Sequence, residues 1–196
     1  MKKNLVTAIL MTIVSTILLG ILYPLAVTAI AQIFFRNQAN GQLVVANGKI
    51  VGSRIIGQAF SSPGYFHSRP SNAGNGYDAT NSNGSQLGPT NQKLIDRVKG
   101  DTAAAQAENP GTPVPIDLVT ASASGLDPDI TPAAAAFQAP RVAKARGISQ
   151  EQLRQLVANH TQSRQWGFLG EPRVNVLELN LDLDRQFPLT KPAKTE

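Results

Sequence analysis

The sequence contains no cysteine and only two histidines among its 196 residues. Without cysteine, no disulfide framework is possible. A zinc site usually needs three or four Cys, His or carboxylate ligands, so the chain is short of the preferred ligand types. We therefore predict no metal site. We expect His67 to be a hydrogen-bonding loop residue and His160 to border the packed face of a helix.

Sequence signatures of several enzyme and cofactor-binding classes are also missing. The glycine-rich stretch 71–85 lacks the lysine of a phosphate-binding loop. Ser124 lies in the sequence ASASG, which lacks the first glycine of Gly-x-Ser-x-Gly. Lys and Arg form no basic run, so we predict no nucleic-acid partner. We predict no catalytic or cofactor-binding residue, although a Ser124–His67–Asp127 triad stays open because geometry defines a triad.

Charged side chains are absent from Asn4 to Phe35, where apolar residues dominate. A bilayer core needs about 20 apolar helical residues, so this run predicts a transmembrane helix at about 5–35. Lys2 and Lys3 precede it, which favours a cytoplasmic N-terminus. The sequence then divides into an N-terminal segment 1–36 and an extracytoplasmic domain 37–196. The alternative is a signal peptide cleaved after Ala31, but the apolar region of a signal peptide is shorter, at roughly 7–15 residues.

Small and hydroxyl side chains recur at steps of four along the apolar run. Steps of four make a slowly winding stripe on a helix with 3.6 residues per turn. Small residues let a second helix approach closely, so the stripe predicts a partner-helix packing face, although small residues are also common in membrane helices generally. Its members are Ala8, Thr12, Thr16 and Gly20.

The rest of the chain predicts a loop-rich α+β domain. Asn47-Gly48 between two apolar runs indicates a β-hairpin. Gly, Asn, Ser and Pro dominate 61–92, which predicts a long loop region, and its aromatic residues argue against disorder. Residues 116–119 predict a strand, and 174–183 predict a short strand running into a helix.

Three helix starts are visible in the sequence. Asn91 precedes a helix that continues to about Ala107, and Thr131-Pro132 begins a second helix, which we expect Pro140 to break or kink. Ser149, with Gln152 three residues later, predicts a capping box at the start of a third helix.

Several long stretches of the sequence together resemble a known family. GSRIIGQAF at 52–60, YFHSRPS at 65–71, DLVTASASGLD at 117–127, RVAKAR at 141–146 and VNVLELN at 174–180 are similar to the C subunit of the Kdp potassium-transporting P-type ATPase. The similarity covers nearly the whole chain. One departure is SNGSQL at 82–87, where the family resembles SGGSNL. There we expect Asn83 to take the left-handed backbone in place of glycine.

The resemblance implies an accessory, non-catalytic subunit of a bacterial inner-membrane potassium pump. Its partners would be a channel-like subunit and an ATP-hydrolysing P-type subunit, with ATP and potassium acting at the level of the complex. The family is also described as a catalytic chaperone that raises the ATP affinity of the ATPase subunit. The charge pattern places the domain opposite to cytoplasmic ATP, so we expect assembly and indirect coupling. A membrane-anchored hydrolase using Ser124 or His67 and a free-standing binding module stay as alternatives.

The stretch 65–71 combines aromatic, histidine and arginine side chains. Aromatic residues and arginine are enriched in interface cores. We therefore interpret the stretch as a structural or partner-facing loop rather than a catalytic one. Its candidate residues are Tyr65, Phe66, His67 and Arg69.

Overall fold

A computed structural model describes residues 1–46 and 48–189. The chain forms two compact units, Met1–Ile50 and the part from Val51 onward. Helices and strands both occur, as the α+β prediction requires. The predicted membrane boundary at 36/37 lies inside the first unit, which also contains the hairpin's first strand, and this boundary stays a prediction.

The first unit begins with a continuous helix, Lys2–Phe34, of 33 residues. It consists of α1 (Lys2–Ser15), a π-helical stretch (Thr16–Leu22) and α2 (Tyr23–Phe34). In the described part of the chain it is the one helix long and apolar enough to cross a membrane, and none of its residues is buried. At about 1.5 Å per residue it is longer than a hydrocarbon core of about 30 Å.

Pro24 explains the change of helix type before it. Proline has no N–H for the carbonyl of residue 20, and its ring crowds that carbonyl. The wider π-helical turn relieves this crowding, since its bonds reach one residue further. Tyr23 N–H accordingly donates to Leu18 O.

Two polar side chains bond to each other at the end of the long helix. Gln32 and Asn40 exchange side-chain amide hydrogen bonds of 3.2 and 3.4 Å across the short helix α3 (Arg36–Ala39). The strands β1 (Leu43–Ala46) and β2 (Lys49–Ser53) then pair as a two-stranded sheet, which confirms the predicted strands. Gly48 has a φ of +74°, as a tight hairpin turn requires, while Asn47 lies outside the described residues.

Between Val51 and residue 189, the second unit contains four longer helices, one 3₁₀ turn and a small antiparallel sheet of order β3-β5-β4. The helices are α4 (Gln92–Glu108), α5 (Pro132–Arg146), α6 (Gln150–Asn159) and α7 (Val176–Gln186). The strands are β3 (Asp129–Ile130), β4 (Thr161–Gln162) and β5 (Arg173–Asn175).

One hydrophobic core joins α5, α6, α7, the sheet and a loop residue. Val174 on β5 pairs with Ile130 on one side and Thr161 on the other. Leu153 of α6 and Phe66 of the long loop are both fully buried in the same cluster. The loop region 54–91 contains no helix or strand, and it packs against the domain at Phe66 and Ala73, which are both fully buried.

The predicted helix starts are confirmed. Asn91 Oδ1 accepts from Lys93 N at 2.9 Å, and Thr131 Oγ1 accepts from Ala134 N at 3.1 Å. Ser149 forms the full capping box with Gln152. The predicted strand-to-helix passage is also confirmed, because β5 runs directly into α7.

One local prediction is wrong, and a second is wrong in part. The segment Ile116–Leu118 is a 3₁₀ turn and not a strand, because the Asp117 carboxylate turns inward and accepts from Thr131 N at 2.7 Å. The helix α5 continues through Pro140, so the predicted break is wrong, while the alternative of a kink stays a prediction. The carbonyl that loses its partner belongs to the exposed residue Ala136, where water can replace the lost hydrogen bond.

Candidate functional site

Two buried amide side chains hold the backbone of the 65–71 loop. Asn180 of α7 accepts from Phe66 N at 2.9 Å and donates to Phe66 O at 2.9 Å. Gln138 of α5 does the same for the next residue, accepting from His67 N at 2.8 Å and donating to His67 O at 3.0 Å. Buried peptide groups must find partners, and this loop has no neighbouring strand to supply them. The two amides therefore supply the backbone hydrogen bonds that a neighbouring strand would supply in a sheet.

Arg146 ties the start of the loop to the end of the domain. Its side chain has 0% exposure and donates to Gly64 O, Phe187 O and Asp184 Oδ1 at 2.7–2.8 Å. Its guanidinium also lies 4.9 Å from the ring centroid of Tyr65, whose hydroxyl donates to Asp184 Oδ2 at 2.8 Å. Burial, with a smaller contribution from the Asp184 carboxylate, raises the pKa of Tyr65.

Arg69 links the loop to the small-residue segment 120–125. Its Nη1 lies 3.1 Å from Asp127 Oδ2, and its Nε donates to Thr120 O at 3.3 Å. The Tyr77 hydroxyl donates to Arg69 O. Burial raises the pKa of Tyr77, so this hydroxyl keeps its proton at neutral pH. Arg69 is thus engaged within the domain rather than free at its surface.

The turn at 82–87 differs from the sequence expectation. Asn83 does not take left-handed backbone; Gln86 does, with a φ of +52°, and its Nε2 donates to Asn83 Oδ1 at 2.7 Å. Asn83 instead bonds through its backbone N–H to Ser124 O at 2.9 Å. Gly84 is needed because a Cβ there would lie 2.8 Å from the carbonyl oxygen of Ala123.

The stretches that carry the family resemblance are bonded to one another. Gly57 N donates to Leu126 O at 2.8 Å, which joins 52–60 to 117–127. Asn175 Nδ2 donates to Arg54 O at 2.8 Å, which joins 174–180 to the segment after β2. These stretches therefore build a common scaffold around the 65–71 loop.

The atoms of the alternative catalytic triad have other partners. His67 Nε2 lies 3.1 Å from Ser62 O, so this nitrogen carries a proton and donates it to the carbonyl. Asp127 accepts from Arg69 and from Asp129 N. Ser124 Oγ accepts from Leu126 N at 3.1 Å. Burial and, second, the nearby Arg141 lower the pKa of His67. These contacts do not join Ser124, His67 and Asp127 to one another.

An open cleft of about 310 Å³ lies between α4, α5 and the loop. Phe137, Leu118 and Ala105 contribute its apolar lining, and His67 and Arg69 lie at its loop side. None of the residues of α4 is buried. The contacts at the end of α4 are the Glu108–Arg141 ion pair at 2.8 Å and the hydrogen bond from Asn109 Nδ2 to Phe137 O at 3.0 Å. The charged groups around the cleft are thus already paired.

The predicted packing stripe lies on the exposed surface of the long helix. Ala8, Thr12, Thr16 and Gly20 are all exposed. Thr12 Oγ1 donates to Ala8 O at 2.9 Å, so its hydroxyl is satisfied within the helix. A Cβ on Gly20 would meet only Thr16 Cγ2, at an ordinary 3.7 Å. The surface is open, and its contact with a partner helix stays a prediction.

Sequence reasoning missed the two buried amide residues Gln138 and Asn180. A signal was present, because Asn180 lies at helical spacing from the buried Val176 and Leu183, and Gln138 lies between the buried Ala134 and Val142. A polar residue on an otherwise apolar helix face must find a hydrogen-bond partner. That spacing predicts that both amides are buried and bond to other buried groups. We call their paired hydrogen bonds to the loop backbone the clamp.

The comparison with protein families identifies the chain's family. A family model described as "KdpC: K+-transporting ATPase, c chain" matches residues 5–185. The chain belongs to the KdpC family. The resemblance seen in the sequence is thereby confirmed.

Similar proteins cover almost the whole KdpC-family chain. The potassium-transporting ATPase KdpC subunit of Koribacter versatilis is 66% identical over 192 residues, which cover 98% of this chain and 100% of the relative. The subunit of the same name from Acidobacterium capsulatum is 60% identical, with 93% and 98% covered. That of Caulobacter vibrioides is 58% identical, with 88% of each chain covered. KdpC is a membrane-associated subunit of the potassium-transporting ATPase, which the exposed apolar helix fits.

Proposed function

We propose that this chain assembles the potassium-transporting ATPase by holding the channel-like and ATP-hydrolysing subunits together. The family match over 5–185 carries the proposal. The exposed apolar helix supports it, since a helix that buries none of its residues in its own protein has its surface available to lipid and partner helices.

The proposed placement puts the second unit outside the cytoplasm of a bacterial inner membrane. Lys2 and Lys3 lie directly before the apolar run, and positive charge at a short end is retained on the cytoplasmic side. The long helix then acts as a permanent single-pass tether.

The proposed effect on ATP affinity is indirect. ATP is cytoplasmic, whereas the proposed placement leaves only the N-terminal end of this chain on that side. A change in ATP affinity would therefore reflect a coupling free energy between helix packing and the states of the pump. Potassium and ATP would bind to the complex, and this chain would bias its conformations.

Co-purification tests the assembly role directly. We expect an affinity tag on the ATP-hydrolysing subunit to recover this chain and the channel-like subunit in mild detergent. Deletion of this chain should abolish both the intact complex and high-affinity potassium uptake. An intact complex without this chain would contradict the proposal, and a stable monomer of this chain in the same detergent would favour a free-standing binding module.

A further inference from the structure

Pro24 and the π-helical stretch before it take away the hydrogen-bond donor of one backbone carbonyl, that of Leu19. The helical donors for this carbonyl are the N–H groups four and five residues ahead, at Tyr23 and Pro24. The N–H of Tyr23 donates to Leu18 O instead. Proline has no N–H to donate. Leu19 O is therefore left without an α-helical or a π-helical donor.

The side chains of the same helix supply no replacement donor. A serine or threonine hydroxyl reaches the carbonyl three or four residues before it, as Thr12 Oγ1 does when it donates to Ala8 O at 2.9 Å. A hydroxyl serving Leu19 O would have to lie at position 22 or 23, where the chain has Leu22 and Tyr23. The ring of a helical tyrosine extends back over the preceding turn, which carries the Tyr23 hydroxyl past that carbonyl.

The proposed bilayer supplies no donor at this depth either. Charged residues are absent from Asn4 to Phe35, and every stretch of about 20 residues within this run, the length that fills a hydrocarbon core, contains Leu19. Lipid tails carry no hydrogen-bond donor, and the hydrocarbon core contains no water. Leu19 and the neighbouring Gly20 are both exposed on the helix surface, so the chain itself does not cover this site. An unpaired carbonyl in such surroundings costs free energy.

We propose that Leu19 O accepts a hydrogen bond from a polar side chain on a transmembrane helix of another subunit of the potassium-transporting ATPase. The proposal deepens the assembly role above and rests on it. The partner side chain must carry an O–H or N–H group, as those of serine, threonine, asparagine and glutamine do. Such side chains bond across helices in membranes. Gly20 beside Leu19 has no side chain, so the backbone of the second helix can approach closely.

The donor belongs to a different subunit rather than to this chain or to a second copy of it. The described part of this chain has one helix long and apolar enough to cross a membrane. A helical carbonyl points toward the C-terminal end, so its donor must lie at about the depth of the next turn. A second copy in the same orientation would bring Ile21 and Leu22 to that depth, and neither side chain carries a donor.

Two substitutions at position 23 test the acceptor in the full complex. Tyr23→Thr places a hydroxyl four residues after Leu19, in the arrangement that Thr12 has with Ala8, so Leu19 O is satisfied within its own helix. Tyr23→Val is the matched control, because valine has the shape of threonine without the hydroxyl. We expect Tyr23→Thr to bind the other subunits in lipid nanodiscs about three- to tenfold more weakly than Tyr23→Val, the effect of one interhelical hydrogen bond.

The two possible failures of this test are distinguishable. Equal affinities of Tyr23→Thr and Tyr23→Val would overturn the hydrogen bond and leave the assembly role standing. Failure of the unmodified chain to bind the other subunits would overturn both proposals.

The carbonyl can also be observed directly in the unmodified chain. Leucine labelled with ¹³C at the carbonyl, combined with ¹⁵N-labelled glycine, selects the Leu-Gly pairs, which lie at 19–20, 87–88 and 169–170. We expect the Leu19 carbonyl signal in solid-state NMR spectra to move downfield when the full chain in lipid joins the other subunits. Leu169 is the internal control, because its carbonyl already accepts from Gln165 N at 2.9 Å.

This second measurement decides the question even where substitution at position 23 prevents assembly. An identical Leu19 signal in the chain alone and in the complex would overturn the proposal. A downfield signal in the chain alone that grows with its concentration in the lipid would assign the donor to a second copy, which would also overturn it.

Discussion

At the scale of single residues, two amide side chains supply the backbone hydrogen bonds that a neighbouring strand usually supplies. Asn180 and Gln138 each bond both the N–H and the C=O of one loop residue. This explains how a loop rich in Gly, Asn and Ser keeps Phe66 fully buried in the core. The aromatic and basic residues that the sequence singled out in 65–71 thus mainly make contacts within the domain. The contact of this loop with a partner stays a prediction.

Asn180→Leu tests this clamp. Leucine has a similar size but offers no hydrogen bond, so both polar groups of Phe66 lose their partner. We expect unfolding free energy to fall by about 1–3 kcal/mol for each orphaned group. Denaturant titration of the full chain in detergent measures the loss. Asn159→Leu, at an exposed position, is the control; equal effects of the two substitutions would contradict the clamp.

The pH dependence of stability provides a second test at this scale. Burial lowers the pKa of His67 in the folded chain below its ordinary 6.5. The unfolded chain therefore binds the proton more readily, and stability should fall as pH drops below about 6.5 toward the folded pKa. His67→Gln should show a shallower fall over that window. Thermal unfolding at several pH values measures it, and identical slopes would rule out a contribution from His67.

Local and distant interactions explain which residues the sequence could reveal. Asn91, Thr131 and Ser149 cap helices through atoms two or three residues away, so their patterns are readable in the sequence. The clamp from Asn180 to Phe66 spans 114 positions. No local pattern specifies such a partner, although the helical spacing of Asn180 shows that it is buried.

At the scale of elements, close contact between loops is as important as the helices. The segment 120–125 packs against the turn at 82–87, with Ser82 Oγ and Asn83 N both donating to Ser124 O. The sequence predicted a loop region at 61–92, which includes this turn, from its Gly, Asn, Ser and Pro. It could not predict the contact of the turn with 120–125, because loop-to-loop backbone pairing leaves no periodic pattern.

Gly125→Ala tests that contact. Gly125 has a φ of +68°, and a Cβ there would lie 2.6 Å from Asn83 O and 2.7 Å from Ala73 N. Gly111 is a matched control, since its φ is +79° and no atom lies within 4 Å of a Cβ. We expect Gly111→Ala to cost roughly 1–2 kcal/mol for the left-handed backbone and Gly125→Ala clearly more. Similar melting temperatures for the two variants would show that the loops do not need this contact.

At the scale of the whole molecule, the long helix and the second unit differ in how much of their apolar surface the chain itself buries. The helix buries no residue, whereas the core of the second unit is closed by its own helices, sheet and loop. The apolar run and its flanking lysines made the helix readable from the sequence, and the KdpC resemblance was confirmed over 5–185. The sequence could not show which partner contacts the helix or the second unit, because the contacting residues of a partner belong to another chain.

Gly20→Leu tests the proposed packing face of the helix. A large side chain would prevent close approach of a second helix at that point, so the yield of co-purified complex should fall severalfold. Ala26→Leu is the control, because six residues at about 100° each place position 26 about 120° around the helix from Gly20. Equal yields of complex from both variants would contradict the proposal that the stripe packs against a partner helix.

Protease accessibility in spheroplasts tests the central claim, that the long helix is a retained tether with the second unit outside the cytoplasm. With an epitope at the C-terminus, we predict loss of the epitope on protease treatment of intact spheroplasts, while a membrane-embedded fragment containing 5–35 survives. An epitope that is protected until the membrane is lysed, or a mature chain that begins after Ala31, would contradict the claim.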